Sequence, residues 1–309
     1  MSTSADLMVV GGGAAGCFTA YLAARSHPDW RVVLTERGSI AGGATGWSAG
    51  VFFPLAATAA HRELVRASAT GYAALRGTAA APLIRPIRML YVPPRGGESE
   101  FRRRVVDAPV RPASAAEHDQ VARMLPELRM TGDEQLLTHD GGGFVVRARP
   151  LAETLLAEVA DRVEVRQHRV TALRHGPEGY RVSHAGGTEL ARRVVLATGP
   201  WPPPPVHPVP LPEPPTARRK RVTALHASLP VRADDPLVYF LGDDLFVLPL
   251  ADREALVSFY RDEWDTDPET ADGRLSEADR RAGLAVLERR SAPAAEAVTG
   301  GRAFCDLYT

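Results

Sequence analysis

The first hydrophobic positions of the chain form two short apolar runs, separated by a glycine-rich turn and a stretch of small residues. Residues 7–10 (Leu-Met-Val-Val) predict a buried strand, and residues 31–35 predict a second one that ends at Glu36. Between them, residues 11–16 read Gly-Gly-Gly-Ala-Ala-Gly and lead into small and apolar residues that predict a helix. This order of strand, turn, helix and strand predicts the start of a parallel sheet.

The glycine turn has the spacing that a dinucleotide site requires. Gly11 permits the tight turn, Gly13 lets the backbone approach a pyrophosphate, and Gly16 lets the helix pack close to the sheet. The helix start adds free N–H groups and a partial positive charge that favour phosphates. Glu36 is placed to accept hydrogen bonds from a ribose hydroxyl. The sequence therefore predicts a dinucleotide site; the alternative is a glycine-rich turn that holds no ligand.

Along the rest of the chain, the predicted elements are first a mixture of helices and strands and then mainly strands. The elements predicted up to residue 197 are a helix over 61–75, an extended segment over 88–92, a short helix from the capping box at Ser114 to Pro126, a strand over 144–146, a helix over 150–160, and strands over 163–165, 180–183 and 193–197. The last of these strands is apolar enough to be buried on both faces. Residues 202–215 are proline-rich and predict an extended connection between domains.

Beyond the proline tract, three apolar runs at 237–241, 245–250 and 255–260 are joined by loops short enough for hairpins, which predicts an antiparallel sheet. A helix is predicted from Ser276 to Arg290, and a strand over 302–308. The fold class is therefore α/β: a Rossmann-like domain with a parallel sheet, interrupted by a substrate domain with an antiparallel sheet. The predicted boundaries are 1–50 plus 143–215 for the first domain and 51–142 plus 216–309 for the second.

Composition narrows the class of protein. The 309 residues include 37 basic and 37 acidic side chains, so net charge does not favour nucleic acid or an anionic membrane as a partner. Cys17 and Cys305 are too few and too far apart for a disulfide framework or a metal-binding motif. No apolar run reaches membrane-spanning length, and the first strand leaves no room for a signal peptide. We expect a cytoplasmic protein without a metal.

Four segments carry a resemblance to a known family: the glycine turn with Glu36 and Arg37, the loop GGATGWSAG over 42–50, the middle strand with Val170, and VVLATGPW over 194–201. The chain resembles the flavin-dependent amine oxidases, which include D-amino-acid oxidase, glycine oxidase and sarcosine oxidase. In that family the loop after the ribose acid wraps the flavin pyrophosphate and ribityl chain, and its close approach needs small residues.

The resemblance implies FAD as the cofactor. The residues that it places at FAD are Gly11, Gly13, Ala14, Ala15, Gly16, Glu36, Arg37, Ala44, Thr45, Ala49, Gly50, Val51, Val170, Thr198, Gly199 and Trp201. For the alanines and valines, simple close packing is the alternative. The implied chemistry is hydride transfer from a carbon that bears an amine to the flavin, followed by hydrolysis of the imine. The expected partner is a small amine or amino acid.

Candidates for the substrate contacts come from the antiparallel region. The resemblance places a carboxylate-binding arginine near Arg302, although Asp306 is nearer to the equivalent position, and 302, 304 and 306 share one strand face. Tyr239 and Tyr260 are candidate hydrogen-bond donors to the substrate. The alternatives are an ion pair for Arg302 and core packing for the tyrosines. Cys305 is a candidate for covalent flavin attachment, with a buried free thiol as the alternative.

The resemblance also implies a further segment after the part that matches residues 305–309: a turn, a strand, a glycine-rich loop and a helix. Three explanations stay open at this point. The chain is C-terminally incomplete, a second subunit supplies the segment, or the protein is a non-catalytic nucleotide-binding module.

Overall fold

The computed structural model describes residues 4–132, 134–208, 218–270 and 273–308. The strands are β1 (Ala5–Val10), β2 (Val32–Glu36), β3 (Val51–Phe52), β4 (Ile84–Ile87), β5 (Met89–Val92), β6 (Val110–Pro112), β7 (Leu137–His139), β8 (Gly143–Val146), β9 (Val163–Gln167), β10 (Val170–Gly176), β11 (Gly179–His184), β12 (Gly187–Leu196), β13 (Val206–His207), β14 (Arg218–Ala227), β15 (Leu237–Phe240), β16 (Leu245–Ala251), β17 (Glu254–Phe259), β18 (Gly273–Arg274) and β19 (Val298–Tyr308). The α-helices are α1 (Ala14–Ser26), α2 (Ala44–Trp47), α3 (Ala59–Ala74), α4 (Glu98–Arg104), α5 (Ala115–Met124), α6 (Ala148–Ala157), α7 (Glu277–Arg290) and α8 (Ala292–Glu296).

The first sheet has seven strands in the order β13-β10-β11-β12-β1-β2-β9. Its centre is parallel, because β1 pairs in parallel with β2 and β12, and β2 with β9. One face, with Val9 and Leu34, packs on α1 and α6. Met8 and Val33, on the other face, pack with apolar residues of the antiparallel β10–β11 hairpin, which belongs to the same sheet. The parallel Rossmann-like sheet predicted from the glycine turn is confirmed.

The second sheet has nine strands in the order β18-β19-β14-β17-β16-β15-β5-β7-β6. The pairings between its described strands are antiparallel except that of β15 with β5. One face packs against α5, α7 and α8, and the other packs against α4 and residues 49–55. The predicted antiparallel sheet is confirmed, and its second face lies towards the residues that follow the 42–50 loop.

A third sheet, β3-β8-β4, joins residues from both parts of the chain. The seven-stranded sheet takes its strands from 5–36 and 163–207, and the nine-stranded sheet from 89–139 and 218–308. We therefore propose the division into 1–50 plus 143–215 and 51–142 plus 216–309, with the small sheet at the junction.

Helix boundaries follow the local capping residues. Both predicted capped helices form, since Ser114 and Ser276 each accept from a backbone N–H at the third helical position in a complete capping box. The helix predicted over 61–75 begins earlier, at Ala59, because the Thr58 hydroxyl caps it. The helix predicted from Pro150 likewise begins earlier, at Ala148.

The strand predicted over 193–197 needs correction, and the connection predicted over 202–215 is described only in part. Val194, Val195 and Leu196 were expected to be buried on both faces, but they are only half-buried, and Leu196 lines an open cleft. The proline tract reaches the edge of the first sheet, where β13 pairs with β10. The remainder of the predicted connection, 209–215, lies outside the described residues. Within the ranges described above, no helix is both long and apolar enough to cross a membrane.

Candidate functional site

A cleft of about 1510 Å³ opens where the carboxyl ends of β1, β2 and β12 meet the glycine turn. The predicted cofactor residues that line it are Gly11, Gly13, Ala14, Ala15, Glu36, Arg37, Ala44, Thr45, Gly50, Val51, Val170, Thr198, Gly199 and Trp201. Gly16 lies behind the turn, and Ala49 packs with the apolar layer beneath the nine-stranded sheet. Ligands of open parallel sheets bind in such a crevice at the strand ends.

The three glycines of the turn meet different surroundings. A Cβ on Gly11, whose φ is +111°, would lie 2.3 Å from the Ala197 carbonyl oxygen, and one on Gly16 would lie 1.8 Å from that of Gly11. A Cβ on Gly13 would meet nothing closer than the Thr45 hydroxyl oxygen at 3.4 Å. Gly11 and Gly16 are therefore required by chain packing, whereas Gly13 leaves the backbone open to the cleft.

The amino-terminal end of α1 faces the cleft, and its own N-cap residue has no side chain that could cap it. Gly13 is the N-cap residue, and the Ala14 N–H donates to the Thr45 hydroxyl at 2.9 Å. The first four N–H groups of a helix have no partner within it, so the others of this turn can receive an anion. Thr45 lies on the short helix α2, and this helix brings the 42–50 loop to the glycine turn.

Glu36 ends β2 and has both carboxylate oxygens hydrogen-bonded to backbone N–H groups. Oε2 accepts from Gly12 at 2.7 Å, and Oε1 accepts from Gly38 at 2.8 Å. A carboxylate has about four lone-pair sites, so each oxygen can accept a further bond from a hydroxyl. The two N–H donors fix the side chain where it lines the cleft.

Trp201 closes one side of the cleft. The Arg37 guanidinium lies 4.5 Å above its ring, and Arg37 also forms an ion pair with Glu269. The indole Nε1 is buried and has no acceptor among the residues described. A buried N–H donor without a partner is costly, so this atom is suited to donate to a bound group.

Gly50 turns the chain from the 42–50 loop into the small sheet. Its φ is +67°, and a Cβ would lie 1.9 Å from the Val146 carbonyl oxygen. The Gly50 carbonyl in turn accepts from the Val146 N–H at 2.8 Å. Only glycine fits this position, which holds Val51 and Phe52 in the cleft wall.

The candidate substrate residues share one face of the nine-stranded sheet. Strand register places Tyr239 opposite Phe246, Phe246 opposite Ser258, Ser258 opposite Ala224, and Ala224 opposite Arg302. This is the face that packs against residues 49–55. Tyr260 follows β17 two residues after Ser258 and therefore belongs to the same side. None of Tyr239, Tyr260 and Arg302 contributes to the cleft lining within the described ranges.

Arg302 is half-buried next to the cleft wall. Its Nη2 donates to the Ser48 carbonyl at 3.4 Å, and Ser48 lines the cleft. Its Nε is buried and has no acceptor in the described part of the chain. Burial lowers the pKa of the Arg302 guanidinium. The expected alternative, an ion pair, is not among the salt bridges formed by the described residues.

The two tyrosines have acidic partners. The Tyr239 hydroxyl donates to Asp244, and burial together with that carboxylate raises the pKa of Tyr239. Tyr260 is 41% exposed, and its hydroxyl donates to Asp262 at 3.2 Å. The Lys220 ammonium lies 3.8 Å from the centre of the Tyr260 ring. Tyr239 is therefore placed inside the apolar layer, and Tyr260 at its rim.

Comparison with known proteins agrees with this arrangement. Residues 6–306 match the family model described as FAD dependent oxidoreductase, the DAO family. The chain belongs to the DAO family of FAD-dependent oxidoreductases. No curated protein matches this DAO-family chain.

Solved structures with the same fold include oxidases of several substrates. Glycine oxidase from Geobacillus kaustophilus is 19% identical to this chain with a TM-score of 0.75, and the match covers 99% of this chain and 83% of the glycine oxidase chain. Iminodiacetate oxidase from Chelativorans sp. BNC1 is 22% identical with a TM-score of 0.73, covering 97% and 82%. FAD-bound L-α-glycerophosphate oxidase from Mycoplasma pneumoniae is 14% identical with a TM-score of 0.74, covering 98% and 83%. These identities show the fold that the DAO family shares.

The cleft of this DAO-family chain fits its cofactor, FAD. Gly13 leaves open backbone at the start of α1, Glu36 keeps acceptor capacity, and Trp201 holds a buried N–H donor without an acceptor in the described ranges. We propose that the adenosine lies on the side of Glu36 and Val170 and that the pyrophosphate lies at α1. We further propose that the flavin lies towards Gly50 and Val51.

Sequence reasoning missed the surroundings of Lys220, and it gave Asp306 only as the position nearer to the expected arginine. Lys220, the only lysine, is 7% exposed, and its ammonium is surrounded by the rings of Tyr260, Tyr308 and Trp264. Asp306 lines the cleft, and burial raises the pKa of its carboxyl. The two are opposite each other on β14 and β19. The alternation of 302, 304 and 306 was the available signal for Asp306; the ring contacts of Lys220 join residues too distant for any sequence pattern.

Proposed function

We propose that this DAO-family chain oxidises the C–N bond of a small amine or amino acid, with the hydride passing to FAD and the imine then hydrolysing. The observation that carries the proposal is the half-buried Arg302 guanidinium, which lies beside the cleft wall at Ser48. Its buried Nε has no acceptor among the described residues. A carboxylate is the natural partner of such a guanidinium, because the planar fork and the two oxygens match.

Each candidate residue has a distinct proposed role. Arg302 holds the substrate carboxylate and thereby orients the carbon that bears the amine. The Tyr239 hydroxyl donates its proton to Asp244, so its oxygen can accept a hydrogen bond from the substrate amine. The Tyr239 ring, which lies 5.3 Å from that of Phe53 and 5.9 Å from that of Phe246, helps to exclude water. Tyr260, at the exposed rim, limits the size of the entrance. Bound FAD supplies the two-electron acceptor.

A non-catalytic nucleotide-binding module is less favoured, since the family model spans nearly the whole described chain and names an oxidoreductase. The more specific second candidate is the oxidation of a different substrate, an alcohol that carries a phosphate. One structural neighbour is a glycerophosphate oxidase, and an arginine fork binds a phosphate as well as a carboxylate. The test below therefore includes this substrate.

The flavin spectrum tests the proposal directly. Purified protein supplied with FAD is expected to show the spectrum of oxidised flavin. Under anaerobic conditions this spectrum should bleach on addition of glycine, sarcosine or iminodiacetate, because each carries an amine on the carbon next to a carboxylate. Bleaching by glycerophosphate alone would replace amine oxidation by alcohol oxidation, and FAD-loaded protein that stays yellow with all four compounds would contradict the proposal.

FAD is expected to be held without a covalent bond through Cys305. This thiol is 3% exposed, donates to the Thr266 carbonyl at 3.5 Å, and does not belong to the cleft lining within the described residues. Burial raises the pKa of the thiol, which disfavours the reactive thiolate. Acid precipitation of the holoprotein should leave all yellow colour in the supernatant. A fluorescent protein band after denaturing electrophoresis, lost in Cys305→Ser, would contradict this prediction.

A further inference from the structure

Two imidazole rings stack beside the proposed adenosine end of the cleft. The rings of His168 and His184 have centroids 4.3 Å apart and planes that differ by 9°. His168 follows β9 and lines the cleft two residues before Val170. His184 ends β11, and its side chain is only 6% exposed. The stack therefore connects the wall of the cleft to the interior of the β10–β12 region.

His184 is held at both ring nitrogens. The Gly186 N–H donates to Nδ1 at 3.1 Å, so Nδ1 is an acceptor. Nε2 lies 2.9 Å from Oε1 of Glu189 and is therefore the nitrogen that carries the proton. These two contacts select one tautomer and one ring orientation. His184 thus offers His168 a fixed surface.

The His168 segment is also tied to the parallel sheet. The Thr35 hydroxyl donates to the His168 carbonyl at 3.1 Å, and Thr35 precedes Glu36 in β2. Glu189 forms an ion pair with Arg166 of β9, which links the support of His184 to the strand that leads into His168. The segment is therefore fixed by its backbone on one side and by its ring on the other.

We propose that His168 is a positioning residue for the adenosine half of FAD, held in place by His184 and Glu189. Residues 168–170 line the cleft together with Thr35 and Glu36, so the order of this segment decides how well the adenosine is held. The flavin half of the cleft, at Gly50 and Val51, is built from other elements and does not depend on the stack. This inference rests on FAD binding and is independent of the substrate that is oxidised.

The replacement His168→Ala tests the proposal through cofactor affinity rather than turnover. Apoprotein is titrated with FAD and with FMN, which has the same flavin but no adenosine, and quenching of flavin fluorescence gives each Kd. We expect the Kd for FAD to rise roughly tenfold, because the 168–170 segment loses the ring that orders it, and that for FMN to stay within about twofold. Glu189→Gln should raise the Kd for FAD in the same direction by a smaller factor.

His175→Ala is the matched control, because His175 packs on Tyr180 at the other end of the same hairpin with ring centroids 4.9 Å apart. Its Kd for FAD should equal that of the unmodified protein. An unchanged Kd for FAD in His168→Ala, or an equal loss for FAD and FMN, would overturn the proposal. If His168→Ala lacks a cooperative thermal transition, Glu189→Gln decides by the same two titrations. Absence of amine oxidation would leave this result intact.

Discussion

Replacement of Gly16 by alanine is expected to abolish FAD binding and to destabilise the protein. The added Cβ would lie 1.8 Å from the Gly11 carbonyl oxygen and 3.4 Å from a methyl group of Val9. Backbone oxygen cannot yield as a flexible side chain does, so α1 must move away from β1. This displacement of α1 moves its unpaired N–H groups away from the cleft. We expect a loss of roughly 3 kcal/mol in the free energy of unfolding, typical of severe overpacking.

The measurements are FAD titration and denaturant unfolding of the apoprotein. Gly71→Ala is the control for the same chemical change, since Gly71 lies within α3 and a Cβ there would meet nothing within 4 Å. This control should bind FAD normally and gain up to about 1 kcal/mol, because alanine is the better helix former. Normal FAD affinity in Gly16→Ala would show that the close contact between turn and helix is not what places α1.

Replacement of Arg302 by methionine is expected to remove most activity towards substrates that carry a carboxylate. Methionine retains much of the apolar volume but has no charge, so the half-buried site no longer has a cation to pair with the substrate carboxylate. For carboxylate substrates kcat/KM should fall about 100-fold, in the range measured when one member of a desolvated charge pair is removed. An amine without a carboxylate should lose far less, since it makes no contact with the guanidinium.

The ratio of kcat/KM for sarcosine to that for dimethylamine provides the measurement, because a general loss of folding would lower both. Arg281→Met is the matched control. Arg281 is exposed on α7, which packs on the opposite face of the nine-stranded sheet. If the two substrates lose activity equally in Arg302→Met, the side chain supports the fold and does not hold the carboxylate.

The residues that we propose at the cofactor could be chosen from the sequence because several are close together in it and each has a local physical requirement. The turn requires glycine at positions 11 and 16, and Glu36 follows from the end of the second strand. The Thr45–Ala14 hydrogen bond could not be deduced in this way, although both residues were predicted at the cofactor. It depends on how the 42–50 loop folds back, and small residues permit many such conformations.

The substrate half was predictable only as a set of candidates. Alternation indicated that 302, 304 and 306 share a face, and the register of β14 with β19 bears this out. Sequence could not show that Tyr239 and Arg302 share that face across four intervening strand pairings, since a one-residue slip in any of them would separate the two. Nor could it show that Arg302 approaches Ser48, about 250 residues away.

The sequence by itself determined the family resemblance, the parallel and antiparallel sheets, and the glycine turn at which we propose that the dinucleotide binds, because these depend on local periodicity and on backbone positions that only glycine can occupy. Only the tertiary structure decided which face of the large sheet meets the cleft. It also decided that Arg302 is half-buried beside the cleft wall and that His168 stacks on His184. Those features depend on strand register and on contacts between segments that are distant in sequence. Both are decided by how the whole core is buried.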